Sequence, residues 1–193
     1  MNKPAFLKKL TPTHVVVFLL LAAFIYVQWP TRIKTKISEA PYLLSQPQLG
    51  FTIQFEKEPK QESTEMVLED GKKLTATMFV AQRKGLDQMA QAVDLGDQDP
   101  QLWLADAKSI DSQEFNGRIV LEFEFAKGFN GSTYTITEYA VKNHAGFVNH
   151  VRVMAAGNKV YKWSVGYKDK DDSELQTRIL TFLDSFSLTQ ESP

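Results

Sequence analysis

One apolar run near the N-terminus, VVVFLLLAAFIYV at residues 15–27, constrains this chain more than any other feature. The run is short for a transmembrane helix, which needs about 20 residues to cross a hydrocarbon core of about 30 Å. Adding residues 10–14 and 28–29 extends it to about 20 residues. Tyr26 and Trp29 lie where interfacial aromatic residues belong, just before Pro30. The segment therefore predicts delivery to a membrane, through a single helix at residues 15–29.

Retention as a signal-anchor and removal as a signal peptide are both open for this segment, and a cytosolic chain with an amphipathic start is a third interpretation. The best small-x-small cleavage site, Ser38-Glu39-Ala40, is followed by Pro41, which is expected to block cleavage. No cysteine follows the run, which excludes a lipoprotein anchor. We therefore expect an uncleaved signal-anchor.

The positive charges on the two sides of the run are nearly balanced, so they orient the helix only weakly. The N-terminal tail carries Lys3, Lys8 and Lys9 with no acidic residue, whereas Glu39 offsets the distal flank. This favours an N-terminus in the cytoplasm and, in a bacterium, a C-terminal domain in the periplasm. The predicted organisation is a short cytoplasmic tail (1–14), a transmembrane signal-anchor (15–29), a juxtamembrane linker (30–49), an extracytoplasmic domain (50–188) and a tail (189–193).

Composition excludes several classes of function. The 193 residues include no cysteine, so the chain cannot form disulfides, thiolate nucleophiles, Fe–S clusters or cysteine–zinc sites. A formal net charge of −1 and the lack of a basic stripe with interleaved aromatic residues do not indicate nucleic-acid binding. The region after the anchor, about 150 residues, is the size of one domain.

Short-range patterns predict the strands of that domain. FTIQF at residues 51–55 alternates apolar and polar residues, and Asp70-Gly71 predicts a turn in a hairpin over residues 66–80. Four more strands are predicted at residues 119–125, 134–141, 147–155 and 161–167. Asn130-Gly131 and Gly157-Asn158 are predicted turns between them. Clean alternation on these strands predicts one buried sheet face and one face that is solvent-exposed or only lightly covered.

Three helices are predicted. The first, closed by Gly96, has apolar residues at helical spacing: Leu86, Met89, Ala90 and Val93. The second begins at Asp99-Pro100, where the aspartate can cap free N–H groups and proline fits the first helical position. The third begins at Ser173, which forms a capping box with Gln176. The predicted fold class is α+β, an antiparallel sheet layered with helices.

The order of these elements resembles the PsbP/Mog1/DcrB-like superfamily. The resemblance is carried by GFTIQFEKEP from residue 50, a central helical pair, GNKVYKWSVGYKD from residue 157, and a closing ILTFLDSFSL segment with Phe-x-x-Ser-Phe at residues 182–186. It implies an α-β-α sandwich over residues 50–188 and an accessory, assembly or partner-binding role. The family shares no catalytic constellation, so no functional residue is transferred, and this chain has no lipid-accepting cysteine.

The candidate metal ligands do not form a recognised motif. His144 and His150 are six residues apart, whereas ligands on one strand face would be two apart, so we expect His144 in a surface turn and His150 on the exposed sheet face. Asp94, Asp97 and Asp99 lack the spacing of an EF-hand loop, and Asp99 is expected to cap a helix. We therefore predict no metal or cofactor.

Charged and aromatic residues on the predicted strands admit structural and functional interpretations. We expect cross-strand ion pairs rather than catalytic carboxylates from Glu122, Glu124 and Glu138 with Arg118, Arg152 or Lys162. The expected core includes a set of aromatic residues, with a partner-binding groove as the alternative: Phe123, Phe125, Tyr161, Trp163 and Tyr167.

These patterns predict a single-pass membrane protein with a non-enzymatic extracytoplasmic domain that binds or helps assemble a protein partner. The predicted partner surface comprises two sets, the exposed sheet face with His150, Arg152 and Lys162, and the helix connection with Asp94 and Asp97. The alternative is a ligand- or metal-binding domain with a pocket near Trp103 and Trp163. A hydrolase using glutamate and histidine is a third hypothesis, although no Gly-x-Ser-x-Gly motif is present.

Overall fold

The computed structural model describes residues 40–67 and 73–189. The predicted membrane segment at residues 15–29, the first half of the predicted linker (30–39), the Asp70-Gly71 turn and the tail from residue 190 lie outside these residues. Across the part of the chain that is described, no helix is both long enough and apolar enough to span a membrane.

Ten strands and two helices make up the described part of the chain. In chain order they are β1 (Tyr42–Gln46), β2 (Phe51–Phe55), β3 (Lys60–Val67), β4 (Lys73–Arg83), β5 (Leu86–Asp94), α1 (Pro100–Glu114), β6 (Gly117–Phe129), β7 (Ser132–Asn143), β8 (Phe147–Ala156), β9 (Lys159–Lys168), α2 (Ser173–Asp184) and β10 (Ser187–Leu188). Seven strands form an antiparallel sheet in the order β3-β4-β5-β9-β8-β7-β6, and β1-β2-β10 form a small second sheet.

Both faces of the large sheet are covered. On one face, the small sheet and α2 enclose the main core, in which Trp163 of β9 stacks on Phe186 with 4.2 Å between ring centroids. On the other face, α1 packs Trp103 and Leu104 against a second cluster that includes Val160 of β9. The predicted antiparallel α+β architecture is confirmed, but the prediction that one sheet face is solvent-exposed or only lightly covered is wrong, because the clusters under α1 are buried.

The predicted helix from Leu86 is also wrong, because this segment is strand β5. It lies between β4 and β9, where Ala90 is directly opposite both Phe79 and Trp163. A strand covered on both faces carries apolar residues at consecutive positions and loses its period of two. The helical spacing of its apolar residues therefore results from burial on both faces of the strand and does not indicate a helix.

The remaining elements largely follow the sequence patterns. The hairpin β3–β4, the strands β6 to β9 and the helix start at Asp99-Pro100 are confirmed, with Asp99 accepting a hydrogen bond from the Gln101 N–H. Asn130 and Gly131 form the predicted turn with φ values of 49° and 82°. The cap of α2 is one residue earlier than predicted, because the Asp172 carboxylate accepts from the Leu175 N–H.

Candidate partner-binding surface

Strand β6 forms one edge of the large sheet and carries the most concentrated apolar exposure of the described residues. Of their eight exposed large hydrophobic side chains, four lie on this strand: Ile119 (38% exposed), Val120 (45%), Leu121 (38%) and Phe123 (43%). Contiguous exposed apolar residues are typical of interaction sites rather than of ordinary surface. We call this strand, with its exposed side chains, the β6 edge.

A β-bulge at Val120 decides which way the side chains of the β6 edge point. Ile119 is opposite Val141 and Leu121 is opposite Ala140, so Val120 is the extra residue. Val141 belongs to the cluster under α1, whereas Ala140 belongs to the main core on the α2 side. Beyond the bulge, alternate residues of β6 therefore face the two sides of the sheet in turn.

Leu121, Phe123 and Phe125 lie on the α2 side of β6. Phe123 and Phe125 contact each other with 5.9 Å between ring centroids, and Phe125 packs at the margin of the main core. Because α2 packs on β9 and β2, it leaves Leu121 and Phe123 partly exposed to solvent. The prediction that Phe123 is a core residue is therefore wrong, whereas Tyr161, Trp163 and Tyr167 are buried as expected.

Glu122 and Glu124 project from the opposite, α1 side of β6. Glu122 pairs with Lys108 of α1. Glu124 accepts a hydrogen bond from Thr137 Oγ1 at 3.2 Å, and no lysine or arginine within the described residues pairs with it. The β6 edge therefore has an apolar face and an acidic face.

A buried ionic cluster supports the apolar face of the β6 edge. Glu138 lies directly opposite Phe123, and its carboxylate bonds both the Arg152 guanidinium and His150 Nε2, the latter at 2.7 Å. Arg152 also reaches Asp184 at the end of α2 at 2.6 Å, and its guanidinium lies 5.3 Å from the Phe125 ring centroid. These contacts tie β6, β7, β8 and α2 together.

The electrostatics of this cluster favour ionised Glu138. Burial alone raises its pKa, but the hydrogen bonds from His150 and Arg152 and the charge of Arg152 outweigh burial, so the pKa falls below its usual value. The cross-strand pair of Glu138 with Arg152 is confirmed. His150 and Arg152 are only 9% and 6% exposed, so their predicted place on a solvent-exposed face is wrong.

Lys162 lies on the other face of the sheet and is separated from that cluster. It pairs with Asp111 of α1, which also accepts a hydrogen bond from the Tyr139 hydroxyl at 2.6 Å. The predicted surface joining His150, Arg152 and Lys162 is therefore divided by the sheet. The cause is the strand register, in which Lys162 is opposite Val153 rather than Arg152.

Glu114 approaches this second cluster at the C-terminal end of α1. Its Oε1 atom is buried without a hydrogen-bond partner. Burial raises the pKa of Glu114 to about 8, against the attraction of Lys162 and with added repulsion from Asp111. Glu114 therefore stays protonated at neutral pH in the folded protein, next to the salt bridge of Asp111 and Lys162.

The acidic connection between β5 and α1 is organised by its own hydrogen bonds. Asp94 accepts from the Gly96 N–H at 3.0 Å and from Asn158 Nδ2 at 2.7 Å, which joins this connection to the β8–β9 turn. Asp97 is exposed in the same connection. Within residues 40–67 and 73–189, no three histidine or acidic side chains converge as a metal site would require. The predicted partner role of Asp94 and Asp97 stays a prediction.

The two tryptophans of the predicted pocket lie on opposite faces of the sheet. Trp163 is fully buried on the α2 side and donates its Nε1–H to the Leu183 carbonyl at 2.9 Å. Trp103 packs under α1 on the other side. They cannot line one pocket.

Sequence reasoning missed the exposure of β6, although its run IVLEFEF at residues 119–125 already showed an unusually apolar strand.

Comparisons with known proteins identify the fold and nothing finer. No family model matches the chain, and no curated protein matches its sequence. Among solved structures, the chain is similar to the solution structure of cyanobacterial PsbP (CyanoP) from Synechocystis sp. PCC 6803, with a TM-score of 0.52 and 10% sequence identity. The match covers 82% of this chain and 98% of that one. The chain thus has a PsbP-like fold, as the sequence resemblance predicted.

Replacing Glu138 with glutamine should destabilise the domain by about 2–4 kcal/mol at pH 7, because Arg152 would keep a buried charge without its main partner. Since the pKa of Glu138 is lowered by folding, its contribution is present above the usual carboxyl pKa and is lost as the pH falls through the lowered value. Urea unfolding followed by tryptophan fluorescence at pH 7 and in acid measures both effects. The exposed Glu124→Gln variant is the control, and equal losses in the two variants would contradict the role of the cluster.

Replacing Glu114 with glutamine should stabilise the domain by roughly 1–3 kcal/mol at pH 8. The effect is smaller than for a fully buried carboxyl group, because solvent screens one that is only half-buried. As the pH rises from the usual carboxyl pKa to about 8, the unfolded chain ionises Glu114 but the folded protein does not, so the free energy of unfolding falls. The stabilisation should vanish below pH 4. Unfolding curves for wild type, Glu114→Gln and the exposed control Glu58→Gln test this, and a wild type with no such slope would refute it.

Proposed function

We propose that the protein is a single-pass membrane protein whose extracytoplasmic domain binds, or helps to assemble, a protein partner without catalysing a reaction. The apolar run at residues 15–27 and its basic flanks support the membrane anchor. The PsbP-like fold suggests an extrinsic accessory or assembly domain. The anchor would hold this domain outside the cytoplasm, in the periplasm if the source is a bacterium.

The observation that carries the partner-binding proposal is the β6 edge. A sheet edge offers unpaired backbone donors and acceptors, and this one adds exposed Leu121 and Phe123 beside them. The opposite edge strand, β3, has a polar sequence, KQESTEMV. The two edges therefore differ in the way expected if only one of them receives a partner.

The polar clusters support a structural role over a catalytic one. Glu138 and His150 are buried and bound to each other, and Asp111 is engaged by both Lys162 and Tyr139. An acid–base residue needs access to a substrate proton, which these partners and their burial deny. No observation favours the ligand-pocket alternative, since its two tryptophans lie on opposite sheet faces.

We expect the full chain to remain in the membrane pellet after alkaline carbonate extraction, with an intact N-terminal peptide by mass spectrometry. A chain that begins at residue 40 should appear in the soluble fraction, because it lacks the apolar run. If expression of the full chain yields a product that begins after Ala40, the segment has been cleaved, which would contradict the anchor.

A photoreactive phenylalanine analogue at position 123, introduced into the full chain in native membranes, should form a discrete adduct with a protein partner on irradiation. The matched control carries the analogue at Leu180, which is 47% exposed on α2 and lies outside the β6 edge. We expect no discrete adduct from the control. Identical adducts from both positions, or none from position 123, would contradict partner binding at this edge.

A further inference from the structure

The backbone of β6 has unused hydrogen-bonding groups at defined positions. The Asn130-Gly131 turn has positive φ at both residues, as in a two-residue type I′ hairpin, so its flanking pair, Phe129 and Ser132, is hydrogen bonded. Because the two kinds of pair alternate along an antiparallel ladder, the odd-numbered residues of β6 after the bulge bond β7. Glu122, Glu124 and Ala126 therefore direct their N–H and C=O groups away from the sheet.

A strand added to these groups would need a particular side-chain pattern. On the α2 side it would meet Leu121, Phe123 and Phe125, which favour apolar partners. On the α1 side it would meet the carboxylates of Glu122 and Glu124, which favour lysine or arginine. The edge therefore selects a segment in which basic residues alternate with apolar or small ones.

The juxtamembrane linker of this same chain has that pattern. Residues 31–38 read TRIKTKIS, in which three basic residues alternate with isoleucine, threonine and isoleucine. One antiparallel register satisfies both faces of the edge at once. In it the opposing pairs are Arg32 with Ala126, Ile33 with Phe125, Lys34 with Glu124, Thr35 with Phe123, Lys36 with Glu122 and Ile37 with Leu121.

The linker cannot reach the β6 edge of its own domain. It enters the domain through β1, where Tyr42 pairs with Phe55 of β2, and the next residue, Glu56, bonds Gln88 of β5 through its N–H. From β5 to a position outside β6 is five strand spacings, or about 24 Å. The five Cα–Cα steps from Ile37 to Tyr42 span at most about 18 Å.

We infer that the β6 edge of one copy is covered by the juxtamembrane segment, residues 31–38, of a second copy of this chain, which adds to it as an antiparallel strand. This inference rests on the proposed function, since it names the partner of the β6 edge. Two anchored copies would each present a basic segment just outside the membrane and accept the segment of the other.

The absence of cysteine from the sequence allows a direct test with full-length chains in membranes. Two differently tagged chains are co-expressed, one with Thr35→Cys and the other with Phe123→Cys, and the membranes are treated with an oxidant. Thr35 and Phe123 form a non-hydrogen-bonded pair in the proposed register, whose short Cα separation suits a disulfide. We expect a disulfide between the two tags, and none when Leu180→Cys replaces Phe123→Cys.

Charge reversal adds a readout that simple collision between chains would not give. Glu124→Lys in the Phe123→Cys chain should lower the disulfide yield several-fold, and Lys34→Glu in the Thr35→Cys chain should restore it. No disulfide between the tags, or a yield that ignores both reversals, would overturn the inference. A further chain carries both Thr35→Cys and Phe123→Cys. A disulfide that forms only within this chain, and not between two chains, would also overturn the inference.

The outcome at the photoreactive position separates this inference from the proposed function. If position 123 captures a different protein and the cysteine pair forms no disulfide, the inference fails while the partner-binding function stands. If position 123 captures nothing and no disulfide forms, both fail. Capture of a second copy together with the disulfide supports both.

Discussion

The burial of both faces of the seven-stranded sheet is the constraint on which the rest of the structure depends. The small sheet and α2 cover one face, and α1 covers the other, so the central strands β5 and β9 are almost fully enclosed. A sheet that is closed on both faces can present apolar surface only at its edges. The exposed residues of β6 are therefore the part of the sheet that neither layer covers.

Enclosure also explains where the charged residues lie. Glu138, Arg152 and Trp163 are directly opposite one another on β7, β8 and β9, and this row of neighbours leads into the core. Each of the two charged residues therefore needs the other in order to be buried. Asp111 and Lys162 meet the same requirement under α1. The two ionic clusters fix each helix over its face of the sheet, because one partner in each cluster belongs to that helix.

Local patterns predicted the elements whose signal is local, and they did not resolve features set by tertiary burial. The Asn130-Gly131 turn and the Asp99 cap follow from the φ angles and hydrogen bonds that those residues favour, and both are present. The sequence of strand β5 has the spacing of a helix because enclosure on both faces removes its alternation. The burial of His150 depends on its contact with Glu138, twelve residues away on a neighbouring strand, which no short pattern encodes.

The bulge at Val120 is another feature that no short sequence pattern encodes. It affects the candidate site more than any other such feature. Without it, Leu121 and Phe123 would share a face with Ile119, and the apolar and acidic sides of the edge would extend along the whole strand. With it, the regular edge begins only at Leu121, and the proposed pairing covers the six residues from Leu121 to Ala126. So short a pairing would be weak in solution, but anchoring of two copies in one membrane, as proposed, would raise their effective concentration without adding new contacts. In this proposal the membrane anchor and the short β6 edge act together, and neither would be sufficient alone.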